Sequence, residues 1–296
     1  MIMNFLRRMD FTLPEHFCRD TELAERVKAV TMTWPFEDRV RKHIVTGVAC
    51  AEACYPHLDI DARTAIAIYT SLTVIIDDKE SFESLAGAEA FSQMLCDGTI
   101  HRDEGPLGQL VKVFTDFHSL FPPFHSSIIV ASTLRFIGGE MITNPCHPSF
   151  QEAHSKAVVD YQRWMTGVAE PYVLFNWPKA ARTALFNGLP DCIIYINHGN
   201  DILSFYKEEL EGDTNNYIHA RARVTNQSPY KILQDLIDEV VAAAQRIHSS
   251  LGDGPVRDAW DSFEAGFIGF HIGDPRYRLR EIIGSQYIMD HTTVYL

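Results

Sequence analysis

The stretch Asn200-Asp201-Ile202-Leu203-Ser204-Phe205-Tyr206-Lys207-Glu208 gains chemical sense when it is wound into an α-helix. At 3.6 residues per turn, positions 200, 204 and 208 climb one side, and 207 falls back beside 200. An amide, a hydroxyl and a carboxylate therefore converge, with an ammonium next to them. Three oxygen donors suit Mg²⁺, which prefers octahedral oxygen coordination, keeps several waters and usually binds together with substrate phosphates. Lys207 then stands where it can hold a phosphate oxygen. The stretch reads as half of a site for a metal carrying a phosphorylated ligand.

Outward from this helix the same periodicity continues. Apolar residues recur at helical spacing along the chain, and alternating strand-like runs are scarce. The pattern predicts helices over 21–30 and 36–54, and a third, capped by Asp59 or Asp61, that ends in Asp77-Asp78. Others are expected over 80–96, 106–120, 123–142 and 149–175, separated by turn clusters such as Phe121-Pro122-Pro123. The segment after Trp177-Pro178 is nicked by Pro190 and is expected to restart at Asp191 and carry the Asn200 stretch. Residues 211–228 form the longest expected loop, directly after the metal helix, and loops of that length are often lids. The last helices are expected over 229–249, 256–272 and 275–288. Without repeats, low-complexity tracts or a Gly-, Ser- or Pro-rich linker, the chain reads as one all-α domain of about ten helices, 1–296, with its core over about 21–290.

Composition narrows the partners. With 296 residues, 46% hydrophobic and 11% aromatic, the chain can bury a sizeable core. Its formal charge of 26 − 39 = −13 argues against nucleic acid or an anionic membrane surface as a partner. An anionic substrate must instead be held by locally arranged metals and basic groups. The six cysteines, at 18, 50, 54, 96, 146 and 192, include no CxxC pair. Cys50 and Cys54 share a helical face that could in principle hold a metal, but no second ligand pair accompanies them, so reduced core thiols are expected. The N-terminal segment lacks the apolar run of a signal peptide, and the longest apolar stretch, 64–76, falls short of the ~20 residues that span a bilayer. A soluble, cytoplasmic chain with no membrane span is expected.

A second acidic stretch, Ile75-Ile76-Asp77-Asp78-Lys79-Glu80-Ser81-Phe82-Glu83, ends the third expected helix. Adjacent carboxylates at the end of an apolar helix are costly to bury unless a cation neutralises them. Asp77, Glu80 and Ser81 share a face. A solvated helix end would look the same in isolation.

Together these stretches carry a resemblance. Asn200, Ser204, Lys207 and Glu208 match, without a gap, the (N/D)Dxx(S/T)xx(K/R)(D/E) motif of class I terpene synthases, and Asp77-Asp78 stands where that family keeps its aspartate-rich motif. Gly273-Asp274-Pro275-Arg276-Tyr277-Arg278-Leu279 resembles the Arg-Tyr segment of the fungal, trichodiene synthase-like sesquiterpene cyclases. Arg163-Trp164-Met165-Thr166-Gly167 resembles the segment with their upstream diphosphate-sensing Arg. The four parts occur in the family's order over roughly residues 60–285. Two positions depart from the pattern: Ser81 replaces the later acid of the aspartate-rich motif, and Thr166 stands where the family often has Asp.

The resemblance implies a helical bundle around a central active-site cavity and a Mg²⁺-dependent cyclase. Such an enzyme ionises farnesyl diphosphate, cyclises the allylic cation to a cyclic sesquiterpene and releases diphosphate. It implies three Mg²⁺, two held by Asp77 and one by Asn200, Ser204 and Glu208. Arg163, Lys207 and Arg276 would donate charge-assisted hydrogen bonds to the diphosphate, with the Tyr277 hydroxyl adding another. Gly167 falls in the same sensing segment. Tyr69, Phe82, Trp164, Phe267 and Phe270 are candidates for an aromatic wall around the cation, or for plain core. His198 and His271 are expected as hydrogen-bonded structural residues, and a homodimer is compatible. The rival readings are a chain-elongating isoprenyl diphosphate synthase, which would need a second aspartate-rich motif in place of 200–208, and a catalytically silent helical binding protein.

Overall fold

The computed structural model describes residues 1–12, 19–78, 89–102, 105–143, 152–177 and 182–283, and among them no strand occurs. The helices are α1 (Ile2–Arg8), α2 (Thr21–Thr31), α3 (Glu37–Cys54), α4 (Ile60–Asp77), α5 (Phe91–Asp97), α6 (Gly105–Leu120) and α7 (Pro123–Thr143). Then follow α8 (Lys156–Thr166), α9 (Ala169–Phe175), α10 (Arg182–Glu211), α11 (Tyr217–Thr225), α12 (Pro229–Leu251), α13 (Pro255–Gly273), a 3₁₀ turn (Pro275–Tyr277) and α14 (Arg280–Ile283).

Side-chain caps start several of these helices. The Asp20, Asp59, Asn216 and Ser228 side chains accept backbone N–H groups at the first turns of α2, α4, α11 and α12. The apolar faces then pack in pairs: α3 on α4, α10 on α12, α13 on α3, α4 on α6, and α8 on α7. Glycine sets the closest approaches. A Cβ on Gly266 of α13 would lie 1.9 Å from the Ala53 carbonyl oxygen, and one on Gly47 of α3 would lie 2.4 Å from that of Ala67 in α4. Only hydrogen at these positions lets the backbones meet.

Four expectations about elements are corrected. The segment 149–175 is two helices, because the chain turns at Gly167-Val168, where Val168 adopts a left-handed backbone (φ 43°). Pro190 does not interrupt α10, which runs through it for 30 residues. The proline is exposed, so its ring faces solvent and the missing N–H costs one helical bond. The presumed loop 211–228 contains α11, whose Tyr217, Ile218, Arg221 and Ala222 are buried. Beyond α13 the expected helix is the 3₁₀ turn followed by the short α14. Phe82, Glu80, Ser81, Glu83, Cys18 and Cys146 lie outside the described residues. Cys50, Cys54 and Cys192 are buried free thiols, and Cys96 is an exposed one. Among the described residues no helix is long and apolar enough to cross a membrane.

Candidate active site

A cavity of about 1320 Å³ opens between α3, α4, α7, α8, α10, α13 and the 3₁₀ turn. Its mouth is polar and its interior apolar. Asp77, Arg163, Gly167, Asn200, Ser204, Lys207, Glu208, Arg276 and Tyr277 all line it, so residues spread over 200 positions of sequence are brought to one space.

The α10 ledge has the geometry its spacing implies. Ser204 is buried and Asn200, Lys207 and Glu208 are half-buried. Burial raises the Glu208 carboxyl above its ordinary range, although the Ser204 hydroxyl donates to it. Burial likewise lowers the Lys207 ammonium, and Arg276 adds to the effect. A half-buried carboxylate beside an amide and a hydroxyl, facing a cavity, is a hard-oxygen donor set suited to Mg²⁺. Among the described residues no three His, Cys, Asp or Glu side chains gather as a metal cluster. An amide and a hydroxyl supply two of the three donors on the ledge, so the donor set fits the ion without such a cluster.

Across the cavity, Asp77 ends α4 with its side chain 54% exposed, and its Oδ2 lies 3.9 Å from Arg276 Nη2. The neighbouring Asp78 contacts α3 instead, 3.1 Å from both Lys42 Nζ and His43 Nε2. The 3₁₀ turn is tied down by Asp274, whose carboxylate accepts the Arg276 N–H (2.9 Å). Lys207 Nζ and the Arg276 guanidinium each lie 5.7 Å from the Tyr277 ring centre, so two cations and a phenol converge there.

Arg163 reaches from α8 to α10. Its Nε lies 2.8 Å from Asp201 Oδ1 and its Nη2 donates to the Asn197 carbonyl (2.8 Å). Burial opposes the Arg163 charge, but the Asp201 carboxylate outweighs it and raises the guanidinium. On Asp201 burial is again opposed, and Arg163 and His198 hold the carboxyl below its ordinary range. His198 Nδ1 is 3.0 Å from Asp201, and its ring stacks on Tyr217 of α11 at 4.9 Å. The Tyr217 hydroxyl donates back to Asp160 of α8 (2.8 Å), which closes a ring of contacts over the 163–167 segment. Within that segment a Cβ on Gly167 would meet Asn197 Oδ1 at 2.1 Å, so the helix junction presses directly against α10.

The apolar interior is lined by Phe136, Tyr172, Ile196, Phe263, Phe267 and Phe270 among others. Phe267 and Phe270 thus stand where expected from the sequence, but Tyr69 and Trp164 do not. Tyr69 is fully buried behind the wall, its hydroxyl 2.8 Å from Thr133 Oγ1 and its ring against Phe117 and Phe175. Trp164 is 38% exposed and lies under the Arg135 guanidinium, 3.7 Å from its ring centre. Sequence reading missed three participants: Asp201 as the partner of Arg163, Tyr172 in the wall, and His271 as the partner of Asn200. Asp201 and His198 carried a readable signal, since they are spaced i,i+3. The Tyr172 and His271 contacts are purely tertiary. His271 lies 3.2 Å from Asn200 Nδ2 through Nε2, and burial pushes its imidazole down to about 3.

This helical architecture is that of the class I terpene synthases: linalool/nerolidol synthase from Streptomyces clavuligerus superposes with a TM-score of 0.66 at 14% identity, over 88% of this chain and 99% of that one. Within the class, the model of the family "Trichodiene synthase (TRI5)" matches residues 23–293. The chain belongs to the trichodiene synthase family. Its relatives include "Monoterpene synthase 25" of Postia placenta, 37% identical over 98% of this chain and 88% of that protein. "(E)-beta farnesene synthase" of Metarhizium brunneum is 29% identical over 85% and 79%, respectively. The enzyme is a terpene synthase, and family membership sets aside the chain-elongating alternative.

Proposed function

We propose that the chain acts as one helical domain that ionises farnesyl diphosphate and cyclises the resulting allylic cation to a cyclic sesquiterpene. The observation that carries this reading is the cavity itself. An amide, a hydroxyl and a carboxylate on α10 face Asp77 across a mouth that also holds Arg163, Lys207, Arg276 and Tyr277, above an aromatic interior. Asn200, Ser204 and Glu208 would hold one Mg²⁺, and Asp77 two more. Bound there, the ions supply Lewis acidity toward the leaving diphosphate.

The chain's own groups do the rest. Arg276 and Lys207, each 5.7 Å from the Tyr277 ring centre, would donate to the diphosphate together with the Tyr277 hydroxyl. Arg163 spends Nε on Asp201 and one Nη2 proton on the Asn197 carbonyl, and its remaining N–H groups would donate to a phosphate oxygen. Phe263, Phe267 and Phe270 line the interior, where ring faces attract a desolvated cation by up to about 2 kcal/mol. The same rings exclude water that would quench it early.

The cavity exceeds the roughly 300–1,000 Å³ of ordinary ligand pockets, so a C15 chain is admissible beside metals and diphosphate. A second reading, geranyl diphosphate, is favoured by the monoterpene synthase among the relatives. Incubation with Mg²⁺ and, separately, geranyl, farnesyl and geranylgeranyl diphosphates, followed by gas chromatography of the organic layer, distinguishes them. A cyclic C15 product from farnesyl diphosphate is expected. A C10 product alone would favour the second reading, and no terpene from folded protein would leave only a silent binding protein.

A further inference from the structure

His271 is buried at the seam between α10 and the Arg276–Tyr277 turn, and the reaction outlined above gives it no task. Its ring is clamped, with centroids 4.4 Å from those of Phe267 and Tyr277 and 5.1 Å from that of Phe270. Nδ1 lies 2.7 Å from the Phe267 carbonyl oxygen. A carbonyl only accepts, so Nδ1 carries the proton, and the neutral imidazole offers Nε2 as a lone pair. That lone pair faces the Asn200 amide, 3.2 Å from Nδ2.

The two ends of a carboxamide are nearly the same size but opposite in function. An NH₂ group can donate to the His271 lone pair, whereas an amide oxygen there would meet it with a second lone pair. The imidazole therefore selects one of two amide rotations, with nitrogen toward α13 and oxygen away from it. The distinction is decisive for a metal ligand, since the flipped amide would turn a partly positive NH₂ toward the cation. Building on the metal role of Asn200 given above, we propose that His271 is a positioning residue that holds the Asn200 amide with its oxygen turned to the α10 ledge. Because Tyr277 packs against the same ring, His271 also joins the ledge to the turn that carries Arg276.

The test compares His271→Phe in two backgrounds, wild type and Asn200→Asp, by the Mg²⁺ concentration that half-maximally raises the melting temperature in the presence of inorganic diphosphate. With Asn200 present, loss of the acceptor should raise that concentration by about 10–100-fold, the usual cost of removing a group that orients a ligand. In the Asn200→Asp background the same change should cost less than about twofold, because a carboxylate offers oxygen at either rotation. His271→Gln, whose amide oxygen can accept, should return the Asn200 enzyme close to wild type. Equal losses in both backgrounds would overturn the proposal. Should the Phe variant not fold, or wild type show no Mg²⁺ response, ¹⁵N spectra of histidine-labelled wild type decide: the Nδ1–H tautomer at His271 supports the proposal, and a protonated Nε2 refutes it. The failure of the Mg²⁺ response alone would count against the metal role of Asn200, not against the tautomer.

Discussion

At the level of single residues, the contacts that matter are those between charges taken out of water. Arg163 and Asp201 are 15% and 10% exposed, and each is the other's main compensation. Asp201→Ala would leave a guanidinium buried beside the cavity without its carboxylate, a change that costs about 3–5 kcal/mol when one member of a buried pair is removed. A lowered melting temperature together with a fall in turnover is expected. Unchanged stability would show that Arg163 finds another partner. Glu52 illustrates the opposite case. It is buried, it accepts the Asp20 N–H (3.1 Å), and burial raises its carboxyl above 4.5. The folded chain then binds this proton more tightly than the unfolded chain, so the contribution of Glu52 is present at low pH and is lost as pH rises through the raised value. Glu52→Gln should accordingly raise the melting temperature at pH 7, and the gain should shrink toward pH 4. An equal gain at both pH values would mean that charge is not its cause. The 200–208 ledge was legible in the sequence because its geometry is local: positions four apart on a helix must share a face. The Arg163–Asp201 and Asn200–His271 contacts join residues 38 and 71 positions apart, so no periodicity encodes them.

At the level of elements, legibility follows how much of a helix is decided by its own pattern. The apolar stripes of α3, α4, α12 and α13 announce them, and the α4 cap lies at Asp59, one of its two expected residues. Pro190 misleads because an exposed proline removes one bond from a helix that packing on α12 holds in place. The α11 segment is hidden by its polar composition, although Asn216 is a readable cap. The break at Gly167 comes from a close approach to Asn197 that only the fold creates. Close approaches also give the sharpest prediction at this scale. Gly266→Ala would push a methyl into the Ala53 carbonyl, where no flexible side chain can yield. Overpacking of this kind costs about 1–3 kcal/mol or more, and a correspondingly earlier midpoint in urea is expected. A wild-type midpoint would mean that α13 can slide on α3.

At the level of the whole molecule, a chain of net charge −13 concentrates Arg163, Lys207 and Arg276 at one cavity mouth, where they face Asp77 and Glu208. A polyanion is repelled by the overall field and would be bound only where these cations, and metal that the acids would hold, reverse it. The sequence conveyed which residues carry this charge pattern. It conveyed only part of the aromatic wall: Phe267 and Phe270 line the cavity, whereas Tyr69 and Tyr172 are equally apolar in pattern and packing alone puts one behind the other. Asn200→Ala tests the central claim most directly, with diphosphate release and melting temperature measured on the same preparation. If α10 holds the metal on which ionisation depends, turnover falls by several orders of magnitude while the melting temperature stays within a few degrees of wild type. Turnover within about tenfold of wild type, or loss of folding, would contradict it.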